Sequence, residues 1–208
     1  GNTASAILAV RDQLNRDTLA RAIDLLAGAE RIEFFAVGHY SVVADDAQFK
    51  FLRFGVPSAS FTEPRLQALA ANVLRPSDVV VIISSSGRID GLLGVADMAR
   101  SRGAAVVAIT ASHSPLAKKA DVALIVDHVE DVATHVPMVS RILHLLVIDI
   151  LAVGVAMRMG GAVAATLPQE ATAGLDESLP GRVLPAVKVA GPGISTAGTL
   201  ARLTSHSR

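Results

Sequence analysis

Hydroxyls, a glycine and an arginine fill the five positions after Ile83: Ser84, Ser85, Ser86, Gly87 and Arg88. These residue types suit anion binding. A serine hydroxyl donates to a phosphate or sugar oxygen. A glycine lets successive backbone amides turn toward one point, and a guanidinium adds fixed positive charge. The next strand-like run ends similarly, in Thr110-Ala-Ser112-His113-Ser114-Pro115, and an earlier one ends in Gly38-His39-Tyr40-Ser41. A hydroxyl bonded to an ionised phosphate oxygen contributes roughly 1.5–3 kcal/mol. Several together support a pocket for a phosphorylated sugar or sugar acid. The plainer alternative is helix capping, for which a single serine suffices. Three serines in succession, echoed by Ser112 and Ser114, favour a ligand.

Arg88 is either a phosphate clamp or a solvated first-turn residue. Its position at a helix start opposes the macrodipole, which favours the clamp. Glu130 and His135 lie in an acidic loop and are the pair available for proton transfer; a solvated acidic loop is the better explanation of them. His113, His128, His135 and His144 do not fall at metal-ligand spacing, so no metal is expected. Gly38-His39-Tyr40-Ser41 lacks the dinucleotide fingerprint, and the second strand ends in Ser60-Phe61-Thr62-Glu63 rather than on a carboxylate, so no cofactor is expected.

Strands and helices must bring these loops together. Val79 to Ile83 are all apolar and β-branched, as suits a strand buried on both faces. Strands are predicted over 31–38, 55–61, 78–83, 104–110 and 121–126. Helices are predicted over 42–53, 64–74, 89–102, 116–120 and 137–158. Residues 6–29 read as one helix, or as two short ones if Asn15 or Asp17 caps the second. Alternation of this kind means a doubly wound, five-stranded parallel sheet with helices on both faces. In the flavodoxin-like order 2-1-3-4-5, ligands bind at the carboxyl ends of the strands, beside the switch point. That order sets Ser41 beside Ser84 and Ser86. Residues 161–208 are rich in small residues, Gly and Pro and hold no lasting period; they read as a loosely ordered tail, with an edge strand possible over 183–189.

Composition narrows the class. Half of the 208 residues are hydrophobic (51%) but only 3% aromatic, so the core is aliphatic. Without cysteine there is no disulfide framework and no thiolate metal site, which suits a cytoplasmic protein. Nineteen basic residues balance nineteen acidic ones, which argues against nucleic-acid binding by this segment. The first residues lack a signal-peptide pattern. They also lack an initiating Met, so residues upstream are expected. The longest apolar run, 142–157, carries His144 and Asp149 and falls short of the ~20 residues a membrane span needs. It reads as a buried or interface helix.

On these residues the chain resembles the sugar isomerase (SIS) domain, and within it the effector domain of RpiR/HexR-type transcriptional regulators. The likeness rests on Ile32–Gly38, Asp46–Pro57, Asp78–Arg88, Ala108–Ser112 with Ser114–Ala117, and Pro137–Arg141 through Ile148–Leu151. It covers roughly residues 5–160. The resemblance implies a phosphosugar-binding domain over 30–160 that forms a homodimer or tetramer. Residues 1–29 would then be a connecting helix, and DNA would be bound only through a helix-turn-helix domain outside this chain. The effector it implies is 2-keto-3-deoxy-6-phosphogluconate. Expected ligand-binding residues are Ser41, Ser84, Ser85, Ser86, Gly87, Arg88, Ser112 and Ser114. Two positions depart from the family pattern: the first loop usually reads Gly-Ser-Ser-Gly, and Ile89 replaces a threonine. The alternatives are an aldose–ketose phosphosugar isomerase using Glu130 and His135, and a dimerisation module with a vestigial pocket.

Overall fold

The predicted β-branched run becomes the central strand of the sheet. The computed structural model of the chain describes residues 2–128 and 139–160. Its strands are β1 (Arg31–Phe35), β2 (Ser58–Phe61), β3 (Asp78–Ser84), β4 (Ala105–Thr110) and β5 (Val122–Ile125). All pair in parallel, in the order β2-β1-β3-β4-β5. This is the doubly wound arrangement expected from the sequence. Every residue of β3 is buried, so its side chains can all be apolar without a solvated face.

Alternation along the strands feeds two cores. Ile32, Phe34, Val79, Val81, Val107 and Ile109 face one side, under α1 (Asn2–Gln13), α2 (Arg16–Ala27), α3 (Ser41–Arg53) and α7 (Val139–Arg158). Phe35, Val80, Ile82, Val106 and Ala108 face the other, under α4 (Pro64–Asn72), α5 (Asp90–Ser101) and α6 (Pro115–Lys119). Both layers are aliphatic apart from a few phenylalanines, as the composition requires.

Residues 2–27 form two helices, not one. Asn15 separates them, because its side-chain oxygen accepts from the amides of Asp17 (2.9 Å) and Thr18 (3.0 Å). That satisfies two of the otherwise unpaired donors at the start of α2. Both helices send residues into the core: Ala6, Val10, Ala22 and Leu26 are buried. Helix α7 is long and apolar enough to cross a membrane by length and composition alone. Here its Leu143, Val147, Ile148, Leu151 and Val155 recur at helical spacing as one buried face. It approaches α2 so closely that a Cβ on Gly154 would lie 2.3 Å from Ile23 Cδ1. Residues 129–138 and 161–208, with the predicted tail and edge strand, lie outside the described residues.

Candidate functional site

Three loops leave the carboxyl ends of adjacent strands: 36–40 after β1, 85–89 after β3 and 111–114 after β4. Neighbouring strands stand ~4.8 Å apart, so the three exits span ~10 Å. That suits a phosphosugar laid across the sheet edge.

The loop after β3 is shaped by Gly87. Its φ of 60° lies in the left-handed region, which most side chains avoid. Its amide donates to Ser84 Oγ (3.1 Å), and its carbonyl accepts from the Leu116 amide (3.1 Å). A Cβ here would sit 2.4 Å from both Thr110 Oγ1 and Ser114 Oγ. Glycine is therefore demanded twice, by backbone conformation and by close approach of the loop after β4. In this way the β3 and β4 loops are brought into direct contact.

Helix α5 begins immediately afterwards. Ile89 occupies its N-cap position and makes no side-chain capping bond. The first-turn amides thus lack a side-chain acceptor, and the positive end of the helix faces the serine loop. Asp90 in the first turn offsets part of that potential, and Arg88 beside it is exposed.

The predicted serines divide into two sets. Ser84 and Ser114 are buried with their hydroxyls engaged inside the protein. Ser84 Oγ accepts from Gly87. Ser114 Oγ caps α6 by accepting from the Ala117 amide (3.1 Å), and it lies 3.3 Å from Thr110 Oγ1. These two set the loop shape. Ser86 is exposed, and its hydroxyl accepts from the Arg88 amide (3.3 Å). Ser41, Ser85 and Ser112 are half-buried, and their hydroxyls have no hydrogen-bond partner among the described residues. The Ser112 amide donates to Asp127 Oδ1 (2.7 Å), which fixes that loop against the end of β5. Ser41 opens α3 one strand over from Ser84, at the same edge of the sheet. Glu130 and His135 lie outside the described residues.

The sequence reading missed Gln67 and the pairing of Tyr40 with His144. Gln67, buried on α4, donates through Nε2 to the carbonyls of Ala36 (2.9 Å) and Phe61 (2.7 Å). It ties down the backbone where β1 and β2 end, and so anchors the loop carrying Ser41. The pairing centres on Tyr40. Its hydroxyl is 2.7 Å from Ser140 Oγ, and its ring lies against that of His144, with centroids 4.9 Å apart. His144 is fully buried, and burial lowers its pKa, opposed by its bond to the Ser140 carbonyl. A buried histidine in an apolar helix is a signal the sequence did carry; its partner 104 positions earlier is not.

Two clefts lie at the opposite end of the sheet. One, of about 680 Å³, is lined by Arg21, Asp24, Arg100 and Asp121 near the starts of β4 and β5. The other, of about 380 Å³, adjoins Arg31, Arg75 and Asp78. Neither includes a residue of the serine loops. The serine loops offer amides and hydroxyls at the strand ends, and anion binding at a helix start needs convergent donors more than depth. Among the described residues no three His, Asp or Glu side chains gather as a metal site.

Known proteins share this framework. The SIS domain profile matches residues 25–154. Over 157 residues the chain is 53% identical to the bifunctional protein glk of Paraburkholderia xenovorans, covering 76% of this chain and 25% of that protein. It is 42% identical over 151 residues to the HTH-type transcriptional regulator HexR of Escherichia coli, covering 73% of this chain and 52% of the regulator. The chain thus spans between a quarter and about half the length of these relatives. The Vibrio vulnificus NanR protein, solved in complex with ManNAc-6P, superposes with a TM-score of 0.75 at 24% identity, over 83% of this chain and 65% of that one; at this identity the likeness speaks for the fold. A profile match over well more than half of the residues, on a sheet of the order predicted from sequence, makes this chain a member of the SIS domain family.

Proposed function

We propose that this domain senses a phosphorylated sugar or sugar acid for a bacterial regulator of carbohydrate metabolism of the RpiR/HexR type, and acts in the cytoplasm without catalysing a reaction. The observation that carries the reading is the loop at 84–89. A left-handed glycine, an uncapped helix start and serine hydroxyls face one edge of the sheet, in a chain 42% identical to HexR. The α5 amides, Ser86 and Arg88 hold the phosphate. Ser41, Ser85 and Ser112 bind the sugar portion, while Ser84, Gly87 and Ser114 keep the loops in shape. The effector is 2-keto-3-deoxy-6-phosphogluconate or a close relative of it.

Output passes through assembly. Exposed Ile142, Val153 and Met157 on α7, with Val42, Phe49 and Leu52 on α3, are apolar residues a partner subunit would cover. The domain works as a homodimer or tetramer, and the ligand shifts its geometry by binding one arrangement more tightly than the other. DNA is contacted only by a domain beyond this chain.

Calorimetry tests the reading. Titration with 2-keto-3-deoxy-6-phosphogluconate and related phosphosugars is expected to release or absorb heat, with affinity reduced in a Ser85→Ala/Ser112→Ala variant. No heat with any phosphosugar removes the proposal. A second reading follows from the 53% identity to the glk protein: the domain belongs to a longer polypeptide with a second activity, and serves as its regulatory part. Phosphosugar turnover abolished by Glu130→Gln would instead promote the aldose–ketose isomerase.

A further inference from the structure

His144 presents an energetic anomaly. The ring is fully buried, and its Nε2 has no hydrogen-bond partner. The other nitrogen, Nδ1, lies 2.7 Å from the Ser140 carbonyl. A carbonyl only accepts, so Nδ1 carries the proton. Nε2 is then a lone pair with no donor, in a place where buried polar atoms are nearly always paired. Its ring neighbour is Tyr40, in the loop that leads into Ser41 at the proposed ligand site.

Tyr40 packs its ring against the core. It is half-buried, and its hydroxyl is tethered by a neutral contact to Ser140 Oγ. The 3₁₀ turn that carries it, Gly38–Tyr40, starts at an exposed glycine with φ 62° and nothing within 4 Å of where a Cβ would stand. The turn therefore has free space on its outer side.

We infer that Tyr40 is a gate over His144: ligand entry lifts the phenol from Ser140, and His144 Nε2 then accepts a hydroxyl of the bound sugar. The inference rests on the phosphosugar reading above and adds a specificity rule to it. A neutral imidazole with Nδ1 already donating offers a lone pair, so it selects a hydroxyl and disfavours a carboxylate or phosphate oxygen at that position. The loops after β3 and β4 hold the anionic end, and His144 reads the polyol end.

The chain contains one tyrosine and no tryptophan, so its intrinsic emission reports Tyr40 alone. The experiment follows this emission and the calorimetric heat together on the full chain. The probes are 2-keto-3-deoxy-6-phosphogluconate, glucose 6-phosphate and inorganic phosphate. A phosphosugar that gives heat is expected to change the emission, whereas inorganic phosphate, lacking a carbon-bound hydroxyl, leaves it unchanged. Tyr40→Phe removes the tether and is expected to tighten phosphosugar binding ~2- to 10-fold. His144→Leu weakens it ~5- to 10-fold, and His144→Gln, which restores an acceptor, recovers part of the loss. Folding of each variant is checked by its melting temperature. Heat with unchanged emission, together with unaltered affinity in Tyr40→Phe, overturns the gate and leaves the sensing function standing. An equal emission change with inorganic phosphate overturns it as well. Absence of heat with every phosphosugar, in wild type and in Tyr40→Phe, overturns both.

Discussion

Replacing Gly87 with alanine tests the construction of the site most directly. Two penalties combine. An L-residue at φ 60° costs ~1–2 kcal/mol. The new methyl would also lie 2.4 Å from two hydroxyl oxygens, of Thr110 at the end of β4 and of Ser114 in the loop after it, and 2.7 Å from Ser114 Cβ. Overpacking of this kind costs ~1–3 kcal/mol. The sum, ~2–5 kcal/mol, is a large share of the ~5–15 kcal/mol that holds a domain folded. Gly38 provides the control: its φ is 62°, but no atom lies within 4 Å of its missing Cβ. Gly38→Ala should therefore lose only the backbone part, ~1–2 kcal/mol. Urea denaturation followed by circular dichroism measures both, provided the m-value stays constant. Thr110→Ala in the Gly87→Ala background should recover part of the loss, because it removes one of the two close oxygens. Equal destabilisation by Gly87→Ala and Gly38→Ala would refute the close approach, and with it the claim that the β3 and β4 loops are locked together.

Other outcomes follow from the same packing. Gln67→Leu leaves the Ala36 carbonyl without its side-chain donor and the Phe61 carbonyl with only the longer bond from the Ala36 amide (3.4 Å), and should cost ~1–3 kcal/mol in urea denaturation. Ser114→Ala removes the α6 cap and should cost ~1 kcal/mol, as should Asn15→Ala at α2; unchanged melting temperatures would contradict the capping assignments. Glu33, on β1, is buried with one carboxylate oxygen unpaired. Burial raises its pKa, Arg31 opposes the shift and Asp78 adds to it. The folded state therefore holds this proton more tightly, so its contribution to stability is full below about pH 4.5 and is lost as pH rises from there through the folded pKa. Glu33→Gln should abolish that decline in a series of melts across pH. His144 acts in the opposite sense. Its folded pKa is lowered, so stability falls as pH drops below the unfolded value of ~6.5, and His144→Leu should flatten that limb.

Much of the fold was legible because it depends on local pattern. Val79 to Ile83 could only be a strand covered on both faces, and five strand–helix alternations leave few parallel arrangements. Strand ends were less legible. The first strand stops at Phe35 instead of reaching Gly38, because Gly38 enters a left-handed conformation and begins a 3₁₀ turn. The second begins only at Ser58, because Gly55, with φ 76°, and Pro57 carry the chain out of α3. The site was legible as a set of residue types and not as a division of labour. Whether a serine faces a ligand or supports a loop depends on contacts such as Gly87 against Ser114, made between loops after different strands. The Tyr40–His144 pair is further still from local pattern, since it joins a turn to a helix more than a hundred positions away.

The parallel sheet has a consequence for how the chain is made. Each ladder joins segments with a helix between them; Arg31 meets Asp78 only 47 residues later. No neighbouring strands can zip from a tight hairpin, so the loop-closure cost falls before any ladder bond forms. During synthesis β1 meets β2 first, and its other edge stays unpaired until β3 has emerged. Folding of such a topology is slow, and the segment 79–83, uncharged and rich in β-branched residues, is where nascent chains would adhere to one another. Slower or cooler expression should raise soluble yield, and a charge placed within that segment should abolish the fold before it improves solubility.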